Sequence, residues 1–170
     1  MKSVIDGIPE QVVSGPPISV RFVVYGEPVP KSRARTVTNI NKYGKRSTHS
    51  YTPESTEIQE QKIALVYKST YHGFRFPEGV PLRLYCDFYF SLPKTYRKRK
   101  VTPEIVAAML AGEIRPMNKK DTDNCIKTVA DAGNGVIYPD DEQIVEVEGR
   151  KFYSDKPRTE IFVARIDDEK

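Results

Sequence analysis

What this 170-residue chain lacks narrows it first. No stretch approaches the ~18 consecutive apolar residues of a membrane-spanning helix, and no apolar signal-type segment stands near the N-terminus. Neither secretion nor membrane insertion is expected, and a cytoplasmic location follows. Cysteine is scarce: Cys86 and Cys125 stand in unrelated contexts, outside any CxxC or Cys/His pattern. That argues against a zinc site and leaves two free, buried thiols as the expectation. His49 and His72 fall on separate elements and read as surface residues. No GxxxxGK[ST] loop, GxGxxG fingerprint or GxSxG elbow occurs, so a nucleophilic serine or cysteine mechanism has nothing to rest on. There is no internal repeat. Acidic residues are missing altogether from Pro28 to Pro53, where Lys31, Arg33, Arg35, Lys42, Lys45 and Arg46 are all basic.

What is present fits one domain, long enough to bury a core. A hydrophobic content of 38% leaves a large polar surface, and the net charge of +4 hides an uneven distribution. Met1 to Pro17, rich in Gly and Pro, reads as a flexible arm. Residues 18–166 form the folded domain, and Asp167 to Lys170 a charged, frayed end. Ile18 to Tyr25 is a β-branched strand, closed by Gly26-Glu27-Pro28. Arg35 to Asn39 and Arg46 to Tyr51 can pair as a hairpin, and its basic loop suits contact with phosphates. Thr52-Pro53-Glu54 starts a helix running to about Tyr71, with Thr52 as cap, Pro53 in the first turn and apolar spacing at Ile58, Ile63, Leu65, Val66 and Tyr67. Val80 to Leu92 alternates, with Leu82, Leu84, Cys86, Phe88 and Phe90 on one side and Arg83, Tyr85, Asp87 and Tyr89 on the other.

The basic run Lys94, Arg97, Lys98, Arg99 and Lys100, with Tyr96 inside it, suits a nucleic-acid backbone. Thr102-Pro103-Glu104 starts a second helix, to Leu110, ending at Gly112. A third helix spans Asp123 to Gly133, with Ile126, Val129, Ala130 and Gly133 as its core stripe and Asn134-Gly135 as its end. Gln143 to Phe152 is a strand with Ile144 and one of Val145 or Val147 inside. Ser154 to Pro157 makes a hairpin to a last strand, Arg158 to Ile166, with Ile161 and Val163 on one face.

The chain is organised around Lys119 to Ile144, KKDTDNCIKTVADAGNGVIYPDDEQI. Asp121 and Asp123 stand two residues apart, and Lys127 follows four later. Asp123, Lys127 and Asp131 share one helical row. A second acidic cluster, Asp140, Asp141 and Glu142, comes after a Gly-bounded turn. Oxygen ligands from separate local elements are what Mg2+ takes, and a nearby lysine offsets charge gathering on a phosphate. Arg115, Lys119 and Lys120 lead into the motif and are expected at phosphates. Each piece has a plainer use: capping for one Asp, a turn for Asp140-Asp141, and a surface pair worth ~0.3–0.5 kcal/mol for Asp123 and Lys127. Taken together they point to a metal-dependent nuclease site.

The run DTDNCIKTVADAGNGVIYPDDEQI resembles the signature of the RusA family of Holliday junction resolvases, many of them carried by prophages. It matches D-x-D-N, a following lysine, D-A-x-N-G and D-D-x-Q-[IV] at Asp121, Asp123, Asn124, Lys127, Asp131, Ala132, Asn134, Gly135, Asp140, Asp141, Gln143 and Ile144. Gly26 to Arg35, GEPVPKSRAR, is similar to the family's G-x-P-x-x-K-x-R-x-R segment. The departures are the N-terminal arm, the long basic hairpin, the Pro103 to Gly112 insertion, and Lys120 where family members usually carry proline.

The resemblance implies a small mixed α/β (α+β) fold, a β-sheet with helices packed on it, in a homodimer that cuts branched DNA with Mg2+, Mn2+ being the alternative ion. Carried onto this chain, Asp121, Asp123 and Asp141 hold the metal and Lys127 assists at the phosphate. The choice of Asp141 over Asp140 rests on the family pattern, and Asp131 is structural. Lys31, Arg33, Arg35, Lys119 and Lys120 are the expected DNA contacts. Tyr85 and Tyr89 mark where a dimer interface is to be sought. No membrane partner or small-molecule cofactor is expected. The rival readings are a non-catalytic binder of branched DNA and a nuclease acting on flaps or forks.

Overall fold

The computed structural model describes residues 18–32, 35–40, 42–51, 53–93, 102–118 and 120–166. The arm Met1–Pro17, the capping role of Thr52, the basic run Lys94–Lys100 and the end Asp167–Lys170 lie outside them. Strands β1 (Ser19–Tyr25), β4 (Leu82–Ser91), β5 (Ile144–Ser154) and β6 (Arg158–Arg165) make a mixed sheet in the order β1-β6-β4-β5. β6 is antiparallel to both β1 and β4, whereas β4 and β5 run parallel. A parallel pair needs a long crossover. Helices α2 (Pro103–Leu110) and α3 (Thr122–Gly133) lie within it. Strands β2 (Arg35–Ile40) and β3 (Arg46–Tyr51) form a separate two-stranded hairpin, as the sequence predicts. Helix α1 (Glu54–Tyr71) follows, with Pro53 at the N-cap rather than inside the first turn.

Alternation decides the core. Leu82, Leu84, Cys86, Phe88 and Phe90 of the central β4 are all buried. They pack with Val20, Phe22 and Val24 of β1, Ile161 and Val163 of β6, Ile63 and Tyr67 of α1, and Cys125 and Val129 of α3. Each large side chain in such a cluster contributes roughly 1.5–3 kcal/mol. The opposite sheet face carries aromatic rings and charge. Tyr89 stacks on Phe152 at 5.0 Å, Tyr85 on Phe162 at 6.0 Å, and the buried Asp87 accepts two 2.8 Å hydrogen bonds from Arg150.

Four further sequence expectations need correction. Ser154–Pro157 does not join a hairpin, because β4 lies between β5 and β6. Two strand spacings amount to about 10 Å, within reach of the chain from Ser154 to Arg158. Val145 and Val147 are both exposed, at 62% and 52%, because β5 is the edge strand and its register slips between Leu82 and Arg83. On α1, Ile58 and Leu65 face outward and the buried row is Thr56, Gln59, Ile63 and Tyr67. Spacing alone cannot choose between the two faces of so weakly amphipathic a helix. On α3 the buried face is wider than expected: it includes Cys125, Thr128 and Ala132, while Ile126 and Ala130 are only partly covered.

Candidate active site

Helix α3 is set by contacts at both ends. At its start it lies close on β5 because Gly149 has no side chain there. A Cβ would sit 2.6 Å from Ile126 Cδ1 and 3.1 Å from Thr122 Cγ2. At its end Gly133 touches Tyr138, whose hydroxyl donates to the Ala130 carbonyl at 2.9 Å. Gly135, at φ +68°, then turns the chain away. On its flank, Lys31 N donates to the Asn124 carbonyl at 2.8 Å and Ser32 N reaches Thr56 Oγ1 at 3.4 Å. The segment that leads into the basic hairpin is therefore pinned to the first turns of both α3 and α1.

Asp121 is the α3 N-cap residue, exposed, and its side chain makes no capping hydrogen bond. Its nearest tie is a long 3.5 Å contact from Asn124 Nδ2. Asp123 and Lys127 are exposed and form no ion pair with each other or with any described residue. A short 3-10 turn, Asp141–Gln143, packs against α3. Within it the structure separates the two aspartates. Asp140 caps the turn, accepting from Glu142 N at 3.0 Å. Asp141 is half-buried and carries no such bond. It lies near Tyr138, whose phenol is pushed up by burial first and then by Cys86, Asp141 and Asp131. Gln143 fixes the turn by donating to the carbonyls of Pro77 at 2.9 Å and Val80 at 3.0 Å. Among the described residues, no three Asp, Glu, His or Cys side chains stand together as a metal-binding set.

The basic residues divide. Lys31 is matched inside the fold, its ammonium 2.7 Å from Asp131 and 2.6 Å from Glu60. Burial works against its charge, but the hydrogen bonds to these carboxylates outweigh it and raise its pKa. Arg115 donates to the Lys151 carbonyl at 3.0 Å and lies 3.9 Å over the Phe152 ring, so it braces β5. Lys120 is exposed just before α3. Arg33, Lys119 and the side chain of Arg35 lie outside the described residues.

Sequence reasoning missed Lys151. Its Nζ donates to the Lys120 carbonyl at 3.2 Å, holding the backbone next to Asp121. Beneath this turn burial pushes the Cys125 thiol up to about 11, and Lys151, Lys120, Asp123 and Asp121 all lie close enough to bear on it. The available signal was parity: Lys151 pairs with Phe88 on the helix-facing side of the sheet, where a charge breaks the apolar alternation.

Residues 25–164 match the family model described as Endodeoxyribonuclease RusA. A curated relative, the uncharacterized protein YqaN of Bacillus subtilis (strain 168), is 33% identical over 150 residues, covering 86% of this chain and 96% of that protein.

Proposed function

The chain belongs to the RusA endodeoxyribonuclease family, and on that premise we propose that it resolves Holliday junctions by paired phosphodiester hydrolysis in DNA recombination and repair, as a Mg2+-dependent homodimer. One observation carries the reading. Asp121, Asp123 and Lys127 face solvent without an ion pair to described residues, while Lys31 and Asp131 neighbouring them are matched to each other. Charges that a fold leaves unpaired on one helical surface remain available to a ligand.

The donor set suits Mg2+, which is commonly held by one or two carboxylates together with substrate phosphate and water. Asp121 and Asp123 would hold it, with Asp141 as the third carboxylate of the family pattern. When bound, the ion supplies Lewis acidity and a water of lowered pKa. The chain's own part is positioning and charge. Lys127, one turn beyond Asp123, offsets charge building on the phosphate. Lys151 holds the backbone before Asp121, and Gln143 holds the turn that presents Asp141. A two-fold dimer would present two such sites to a near-symmetric junction, and the sheet face bearing Tyr85 and Tyr89 is the surface proposed for its interface.

The test is incubation with a labelled four-way junction, a flap and a linear duplex, in Mg2+ and in EDTA. Paired symmetric nicks in the junction alone, dependent on Mg2+, are expected. Preference for the flap would change the substrate and keep the site. Binding without cutting would replace the reading by a non-catalytic binder.

A further inference from the structure

We propose that the cleft between the C-terminal end of α1 and the turn after α3 is a second phosphate-binding site, which grips the backbone of a duplex arm at a distance from the cleavage site. The identity of the polyanion as DNA rests on the nuclease reading above. The cleft, about 440 Å3, is lined by Lys68, Gly73, Arg75, Gly135 and Val136. Lys68 and Arg75 are exposed, and neither makes an ion pair with any described residue. Both walls lack a carboxylate in sequence: none occurs from Gln61 to Pro77, and none from Ala132 to Pro139. Lys68 lies in the last turn of α1 and there also offsets the helix dipole. Arg75 stands beyond the helix and has no such use. Gly73 and Gly135 both adopt positive φ, and a Cβ on either would meet nothing within 4 Å. The backbone is therefore open for a ligand to approach.

The cleft lies at the opposite end of α3 from Asp121 and Asp123. Asp123 and Lys127 share one face of α3, and Asn134, the residue that caps its end, adjoins Gly135 in the cleft. Eleven helical residues span about 16 Å, or about five base steps at 3.4 Å each. Asp131, beside this path, is matched by Lys31 and so repels a passing strand less. A duplex arm lying along α3 can place the scissile phosphate at the Asp123 end and another, about five steps away, between Lys68 and Arg75.

The experiment measures binding, so it does not depend on cleavage. The Asp123→Asn chain, with and without Lys68→Gln and Arg75→Gln, is titrated with a four-way junction whose arms are about 10 base pairs or longer. Two lost phosphate contacts should flatten the slope of log K against log salt by about 1.8. From 50 to 200 mM salt, the parent should then lose about tenfold more affinity than the double variant. A neutral methylphosphonate about five steps from the cleavage position should weaken the parent and leave the double variant unchanged. Lys68→Arg with Arg75→Lys should retain the parent slope, and all forms should melt alike because both side chains are exposed. An unchanged slope in the double variant overturns the cleft and leaves the nuclease reading intact. Absence of DNA binding by the parent overturns both.

Discussion

Asp123 and Lys31, whose backbone bonds to the neighbouring Asn124, have opposite situations, and substitution should expose the difference. Asp123 is exposed and unpaired among the described residues, so Asp123→Asn should leave the melting temperature nearly unchanged. It should abolish cleavage while junction binding stays intact or tightens, since a negative charge facing phosphate is removed. Loss of binding together with cleavage would count against the assignment. Lys31 bridges Asp131 and Glu60 at partly buried positions. Lys31→Ala leaves two carboxylates unmatched and should cost about 1–3 kcal/mol, read from a denaturant midpoint. Its raised pKa fixes the sign with pH: the contribution is complete at neutral pH and fades only above the ordinary lysine value. If Lys31 served phosphate alone, stability would not move.

At the scale of elements, α3 is the part on which the site depends. Its seat on β5 is set by an absent side chain, so Gly149→Val should push the first turn, with Asp121 and Asp123, off the sheet. Overpacking of this kind costs about 1–3 kcal/mol. A shift near 1 Å at catalytic groups can cost about 10²-fold in rate. The expected outcome is a folded variant whose cleavage falls much further than its stability does, measured below its melting range. The helix itself was readable in the sequence, because the Asp121 start, the Val129 row and the Asn134-Gly135 end are local signals. Its partner was not. Nothing local in Arg150–Arg158 distinguishes a strand pairing with the next one from a strand stepping past β4, since both satisfy the same alternation.

At the scale of the whole molecule, the basic hairpin stands apart from the four-stranded sheet. Arg35 and Tyr51 are paired neighbours, so a short Gly-Ser turn can replace residues 36–50 without stretching the chain. The melting temperature should stay close to that of the parent. Junction affinity should fall, and the salt slope should flatten by up to about 2.7, as Lys42, Lys45 and Arg46 are removed. An unchanged affinity would assign the hairpin to another role. Among the described residues no helix is long and apolar enough to cross a membrane, which agrees with the composition.

The sequence by itself determined the local elements, the apolar row of β4, the carboxylate-lysine motif and its family, because each depends on neighbours a few residues apart. Only the tertiary structure decided which charges remain free. It matched Lys31 to Asp131 and Glu60, set Arg115 on Phe152, engaged Asp140 rather than Asp141 in a turn, and brought Lys151 beside Asp121. Apart from the Asp140 bond, which spans two residues, those outcomes depend on strand order and helix seating across separations of 29 residues and more. Charge pairing falls steeply with distance in space, and distance along the chain does not report it.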